Sequence, residues 1–169
     1  MTKDVPPVFF GTNEVDETYL GGQMKNRRIK DRIKYGKNRS GFGTIKHPVF
    51  EILCWEGKVY AEIVYSIESK DLEPIIEKQI KRDSTIFSNT WRAHSGLATK
   101  GCVHRLVNHN LKKYSDKRGN HINGLEGFWG YLKRKLAAKG AIRRKRLPLY
   151  LGEYVWRYNH RKLSLKEQV

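Results

Sequence analysis

The chain has 169 residues, a length that suits one domain and falls short of two. Its 34 Lys and Arg against 17 Asp and Glu leave a formal charge of +17, a field that favours a polyanion, nucleic acid above all, without choosing between DNA and RNA. No apolar run approaches the roughly 20 residues of a membrane helix, Met1 to Phe10 make neither a signal nor a transit peptide, and Cys54 and Cys102 lie too far apart for a zinc site, so the expected setting is the cytoplasm with reduced thiols.

Thr12 to Leu20 alternates as a strand does, with Asp16, Thr18 and Leu20 on one face and Val15, Glu17 and Tyr19 on the other; Gly21 and Gly22 end it. From Gln23 to Lys46 the chain is basic and glycine-containing, carrying Lys25, Arg27, Arg28, Lys30, Arg32, Lys34, Lys37 and Arg39 without an apolar period. It reads as a basic insertion or loop at about 23–46. Pro48 to Trp55 and Val59 to Ile67 are two apolar runs around Glu56-Gly57-Lys58, which predicts an antiparallel hairpin.

Ser69 to Arg82 opens on a candidate N-cap, Ser69, and repeats Leu72, Ile75, Ile76 and Ile80 at helical spacing. A short strand from Ser84 closes at Asn89, a helix is predicted over Thr90 to Leu97, and Cys102 to Val107 reads as a fifth strand. After a polar, basic loop from Asn108 to Asn120, the residues Ile122, Leu125, Trp129, Leu132 and Leu136 mark an amphipathic helix over His121 to Ala138. Gly140 stops it, and Arg143-Arg144-Lys145-Arg146 precedes a last helix at about Leu149 to Asn159. Antiparallel strands followed by strands alternating with helices predict one α/β domain, a mixed sheet with helices on both faces.

Three polar positions lie at an element end or on a core-bounded element: Asp16 in the first strand, Asn89 closing the fourth, and Glu126 in the long helix. Their settings are Asp16-Glu17-Thr18-Tyr19, Ser88-Asn89-Thr90-Trp91, and His121-Ile122-Asn123-Gly124-Leu125-Glu126 followed by Phe128-Trp129 and Lys133-Arg134, at intervals of 73 and 37 residues. In motif, order and spacing this resembles the DDE transposases of bacterial insertion sequences, the group related to the eukaryotic Merlin elements. The resemblance covers nearly the whole chain. It implies a ribonuclease-H-like mixed five-stranded sheet flanked by helices, with the first and fourth strands side by side.

It also implies metal-dependent DNA cleavage and strand transfer. That chemistry wants two divalent cations about 4 Å apart, one activating the attacking oxygen and one stabilising the leaving oxygen. Mg²⁺ or Mn²⁺ prefers carboxylate oxygens, so the resemblance assigns Asp16, position 89 and Glu126 as catalytic, metal-holding residues. Lys133, on the stripe of Glu126 nearly two turns on, is implied to hold a phosphate of the DNA end; a solvated lysine is the plainer alternative. Arg134, Arg143, Arg144, Lys145, Arg146, Arg27 and Arg28 are expected to contact phosphates without reading sequence. The implied partners are DNA, as transposon ends and target, and further copies of the chain assembled on it, with no membrane and a nucleoid-associated setting in a bacterium.

Each of these residues has an ordinary reading too. Asp16 and Glu17 can be exposed strand residues, Glu126 a surface helix charge, and Asn123 a loop cap. His94, His104, His109 and His121 lack metal-ligand spacing, and Trp91, Trp129 and Trp156 are expected in the core rather than stacked on bases. Two departures from the family pattern matter more. Asn89 replaces a carboxylate and removes a full negative charge, while Asp83, at the far end of the same strand, is a poor substitute; weakened metal binding and turnover are expected. The zinc-ribbon and helix-turn-helix that relatives carry ahead of this domain have no counterpart in the few residues before the first motif, which reads as a fragment or a truncated frame. A silent DNA-binding remnant and a ribonuclease or junction resolvase on the same fold remain the competing functions.

Overall fold

The computed structural model describes residues 8–21, 28–35, 46–89, 101–107, 123–139, 142 and 144–168. The strands are β1 (Thr12–Leu20), β2 (His47–Cys54), β3 (Val59–Ile63), β4 (Thr85–Asn89) and β5 (Val103–Val107). The helices are α1 (Ile29–Tyr35), α2 (Ser69–Gln79), α3 (Asn123–Ala138) and α4 (Leu147–Asn159). One sheet holds all five strands in the order β3-β2-β1-β4-β5, antiparallel through β3, β2 and β1 and parallel through β1, β4 and β5. This is the mixed α/β arrangement of the ribonuclease-H-like fold.

Strand alternation divides the core into two layers. Val15, Phe50, Ile52, Cys54 and Ile86 face one way and pack with Leu72 and Ile76 of α2. Leu20, Val49, Leu53 and Val59 face the other way, against Leu125, Phe128 and Leu132 of α3 and Leu151, Tyr154 and Val155 of α4. Both clusters draw on β2, so that strand is buried on both faces and reads as an almost continuous apolar run.

Several boundaries differ from those the sequence suggests, each for a tertiary reason. A seven-residue helix, α1, lies inside the stretch read as a loop, and its two isoleucines, Ile29 and Ile33, are exposed, so no buried apolar period announces it. β3 stops at Ile63 because its partner beyond Val49 is Pro48, which accepts from the Val64 N–H but has none to return. Glu68, extended, takes the cap position of α2 in place of Ser69. That helix ends at Gln79 because Ile80 is drawn into a parallel bridge with Phe9. The helix expected over Thr90 to Leu97 and the loop from Asn108 to Asn120 lie outside the described residues.

The edge strand β3 is closed by a side chain acting as a peptide group. Asn159, at the end of α4, accepts the Val59 N–H through Oδ1 at 2.7 Å and donates from Nδ2 to the Val59 carbonyl at 2.9 Å. Arg161 adds a bond to the Gly57 carbonyl at 2.7 Å, pinning the hairpin turn at its positive-φ glycine.

At the centre, α3 is fastened to β1 by Glu14, whose side chain is almost wholly buried. Its Oε2 accepts the Leu125 N–H at 3.0 Å and its Oε1 accepts the Trp55 indole N–H at 3.0 Å. The Leu125 N–H is one of the donors that the first turn of a helix leaves without an intrahelical partner, and a carboxylate there also meets the positive end of the helix dipole. The approach is close enough to require Gly124: a Cβ there would run into Leu53 Cδ2 and lie 3.1 and 3.2 Å from the two Glu14 oxygens.

Asn159→Ala leaves both backbone groups of Val59 without their partner and is expected to cost about 1–3 kcal/mol; an unchanged urea midpoint would show the edge is held by other means. Gly124→Ala and Glu14→Gln are each expected to destabilise by about 1–3 kcal/mol, one by overpacking and one by leaving a buried donor opposed. Both should speed hydrogen exchange at the Leu125 amide, and exchange at the parental rate in Glu14→Gln would remove Glu14 as the anchor of α3.

Candidate active site

Asp16 sits at the middle of the central strand. On one side β4 runs parallel with Val15 opposite Ser88, so one step further along both strands the backbones of Asp16 and Asn89 are neighbours. The side chain of Asn89 lies outside the described part of the chain. Asp83, in contrast, occupies the turn before β4 with φ 64°, at the opposite end of the strand. Six residues separate it from Asn89, about 20 Å at strand rise, so it does not stand in for the missing carboxylate.

Glu126 lies in the first turn of α3, one residue past the amide that Glu14 holds. Glu14 and Asp16 share a face of β1 two residues apart, so fastening α3 at Glu14 sets its first turn beside Asp16. Glu126 itself is exposed. Its charge is felt at Asp16: burial first, then the Glu17 carboxylate, push the Asp16 carboxyl up to about 7, and Glu126 adds to the rise. The Glu17 N–H, 2.8 Å from Asp16 Oδ1, and the Lys133 ammonium act in the opposite direction.

Lys133 extends over the Trp129 ring at 5.1 Å from its centroid and favours the charged forms of both Asp16 and Glu51. Glu126 and Lys133 lie seven residues apart on α3, and the charge of each bears on Asp16.

Glu51 was not singled out by sequence reasoning. It stands directly opposite Asp16 on β2, fully buried, and neither carboxylate oxygen has a hydrogen-bond partner among the described residues. Burial chiefly, with Asp16 and Glu17, pushes its carboxyl well above the usual range, against the pull of Lys133. A signal was present, since Glu51 is the single charged residue in Pro48-Val49-Phe50-Glu51-Ile52-Leu53-Cys54. A lone acid inside a strand apolar on both faces has to be buried with it.

The remaining expected contacts scatter over the surface. Arg134, Lys145, Arg146 and Arg28 are exposed, and the backbone of Arg144 lies in a 3-10 turn ahead of α4. Arg27 and Arg143 lie outside the described residues. Trp129 packs against the core as expected, while half-buried Trp156 stacks on His160, with 4.4 Å between ring centroids. His104 bonds the Ser88 hydroxyl at 2.7 Å across β4 and β5.

The donor set around Asp16 suits a hard divalent cation in kind, because it is made of carboxylates and includes the two buried Glu51 oxygens, which have no partner among the described residues. Among the described residues no group of three or more His, Cys, Asp or Glu side chains stands close enough together to hold a metal ion by itself. Nor, among them, is any helix long and apolar enough to cross a membrane.

Comparison with known proteins agrees with this architecture. Residues 9–159 match the ISXO2-like transposase domain, a span that runs from three residues before β1 to the last residue of α4. A protein of Haemophilus influenzae described as an uncharacterized transposase-like protein is 33% identical over 107 residues, covering 63% of this chain and 85% of that relative. With the sheet order, the match along nearly the whole chain establishes that this protein belongs to the ISXO2-like transposase domain family of insertion-sequence transposases.

Proposed function

We propose that this chain cleaves and transfers DNA strands with divalent cations, Mg²⁺ or Mn²⁺, held by Asp16 and Glu126, and that Asn89 weakens the site. The carrying observation is the register that sets the backbones of Asp16 and Asn89 side by side, with Glu126 acting on Asp16 from α3. A pair of such cations supplies activation of the attacking oxygen and stabilisation of the leaving one. The chain's own part is to place carboxylate charge there and to hold the DNA backbone against it.

Lys133 is the cation best placed to neutralise a phosphate next to Asp16, since its ammonium already acts on the carboxylates beneath it. Exposed Arg28, Arg134, Lys145 and Arg146, with Arg27, Arg143 and Arg144, serve as phosphate contacts further out. The chain assembles with further copies of itself on transposon ends and target DNA. A second reading, a DNA-binding remnant without turnover, is favoured by one observation: an amide side chain stands where the chemistry wants a charge.

Binding to duplex DNA through Lys25 to Arg39 and Arg143 to Arg146 is expected to be steeply salt-dependent. With about six phosphates neutralised, affinity falls on the order of a thousandfold between roughly 50 and 200 mM salt. Salt-independent binding, or none at low ionic strength, would remove DNA as the partner of these segments.

Asn89→Asp is expected to raise Mn²⁺ affinity at least about tenfold, because Asp supplies charge that offsets dehydrating a hard cation. Isothermal titration of parent and variant, with Glu126→Gln on the variant background as control, measures it. Equal affinity in both would show that position 89 does not touch the cation. Metal-dependent nicking by the unmodified chain would show that Asn is tolerated and would eliminate the remnant.

A further inference from the structure

Resting on the reading of Asp16 as a cation-binding residue, we propose that Glu51 belongs to the same cation site and supplies the carboxylate charge that Asn89 lacks.

The register of β1 and β2 pairs Asp16 with Glu51 directly. Directly opposed residues of an antiparallel pair hold their Cβ atoms about 4.5–5.5 Å apart on one face of the sheet. That face is the one under α3, because Val49 and Leu53, the alternate neighbours of Glu51, pack against Leu125, Phe128 and Leu132. Glu51 therefore forms the floor of the site, with Asp16 beside it.

A carboxylate in this position needs an explanation that packing does not provide. Glu51 is 0% exposed, and neither of its oxygens has a hydrogen-bond partner among the described residues. Ionised, it would be a buried charge with only the Lys133 ammonium acting in its favour among the described residues. Protonated, it would still bury an O–H and a carbonyl oxygen with nothing to bond, and a Leu or Met of similar volume would fill the space without that cost. A divalent cation next to Asp16 resolves both, since it gives the oxygens a partner and the charge a counterion.

The complement of charge agrees. Family chemistry wants three carboxylates around the cations, and the triad read from the sequence has two, Asp16 and Glu126. Glu51 restores the third from the other flank of β1. It reaches the site from β2 rather than β4, so the charge is preserved while its direction changes.

The test is Mn²⁺ binding by the whole chain, read by isothermal titration and by the electron paramagnetic resonance signal of free Mn²⁺, for the parent, Glu51→Gln, Asp16→Asn and Asn89→Asp. The parent is expected to bind, and both Glu51→Gln and Asp16→Asn to lose at least tenfold in affinity. Melting in EDTA should leave Glu51→Gln as stable as the parent or more so, which separates lost binding from lost folding; should it not fold, Glu51→Met takes its place. Parental affinity in the Glu51 variant while Asp16→Asn loses binding would overturn the role of Glu51 and leave the cation site standing. Binding by Asn89→Asp but not by the parent would likewise overturn it, because Glu51 would then have failed to supply the charge. Binding by neither would overturn the cation reading itself.

Discussion

The hydrogen bond from the Leu125 N–H to the buried Glu14 carboxylate ties the two halves of this protein together. β1 carries Asp16 and α3 carries Glu126 and Lys133, and they are 110 residues apart in the chain when measured from Asp16 to Glu126. Burying a carboxylate at a helix start is favourable only when it meets the otherwise unpaired amides there, and Glu14 does so while also accepting from Trp55. Gly124 lets the two backbones come close enough for that contact. One charged side chain in the core thus sets the position of the helix face that overlooks Asp16.

The site itself is arranged against local stability. Burial first, and then neighbouring carboxylates, make both Asp16 and Glu51 hold their protons more tightly. Lys133 offsets part of this. Such frustration in a folded core is more at home at a working site than in packing, since apolar residues would fill the same space at lower cost.

The basic excess lies elsewhere. The two apolar layers are formed by β-branched, leucine and aromatic residues, while exposed Arg134, Lys145, Arg146, Lys30 and Arg32 remain at the surface. Charge is thus separated among the described residues: the sheet centre gathers Asp16 and Glu51, and the periphery carries exposed cations.

The amino-acid sequence by itself determined what depends on local periodicity. The alternation of Thr12 to Leu20 and the three-and-four spacing of Leu125, Trp129, Leu132 and Leu136 emerge as β1 and α3, although β1, central in the sheet, buries residues on both faces. Motif spacing also marked Asp16, Asn89 and Glu126, and the register sets the first two side by side while α3 brings the charge of the third to bear on Asp16. Glu51 and Glu14 needed the tertiary structure. Whether an acid in an apolar strand faces a counter-charge, an amide or another acid depends on which residue of the neighbouring strand stands opposite, and that register is set by contacts between segments 35 residues apart for Asp16 and Glu51 and 111 for Glu14 and Leu125. The ends of β3 and α2 moved for the same reason, since a missing Pro48 donor and a bridge to Phe9, both distant in sequence, decided where each element stopped.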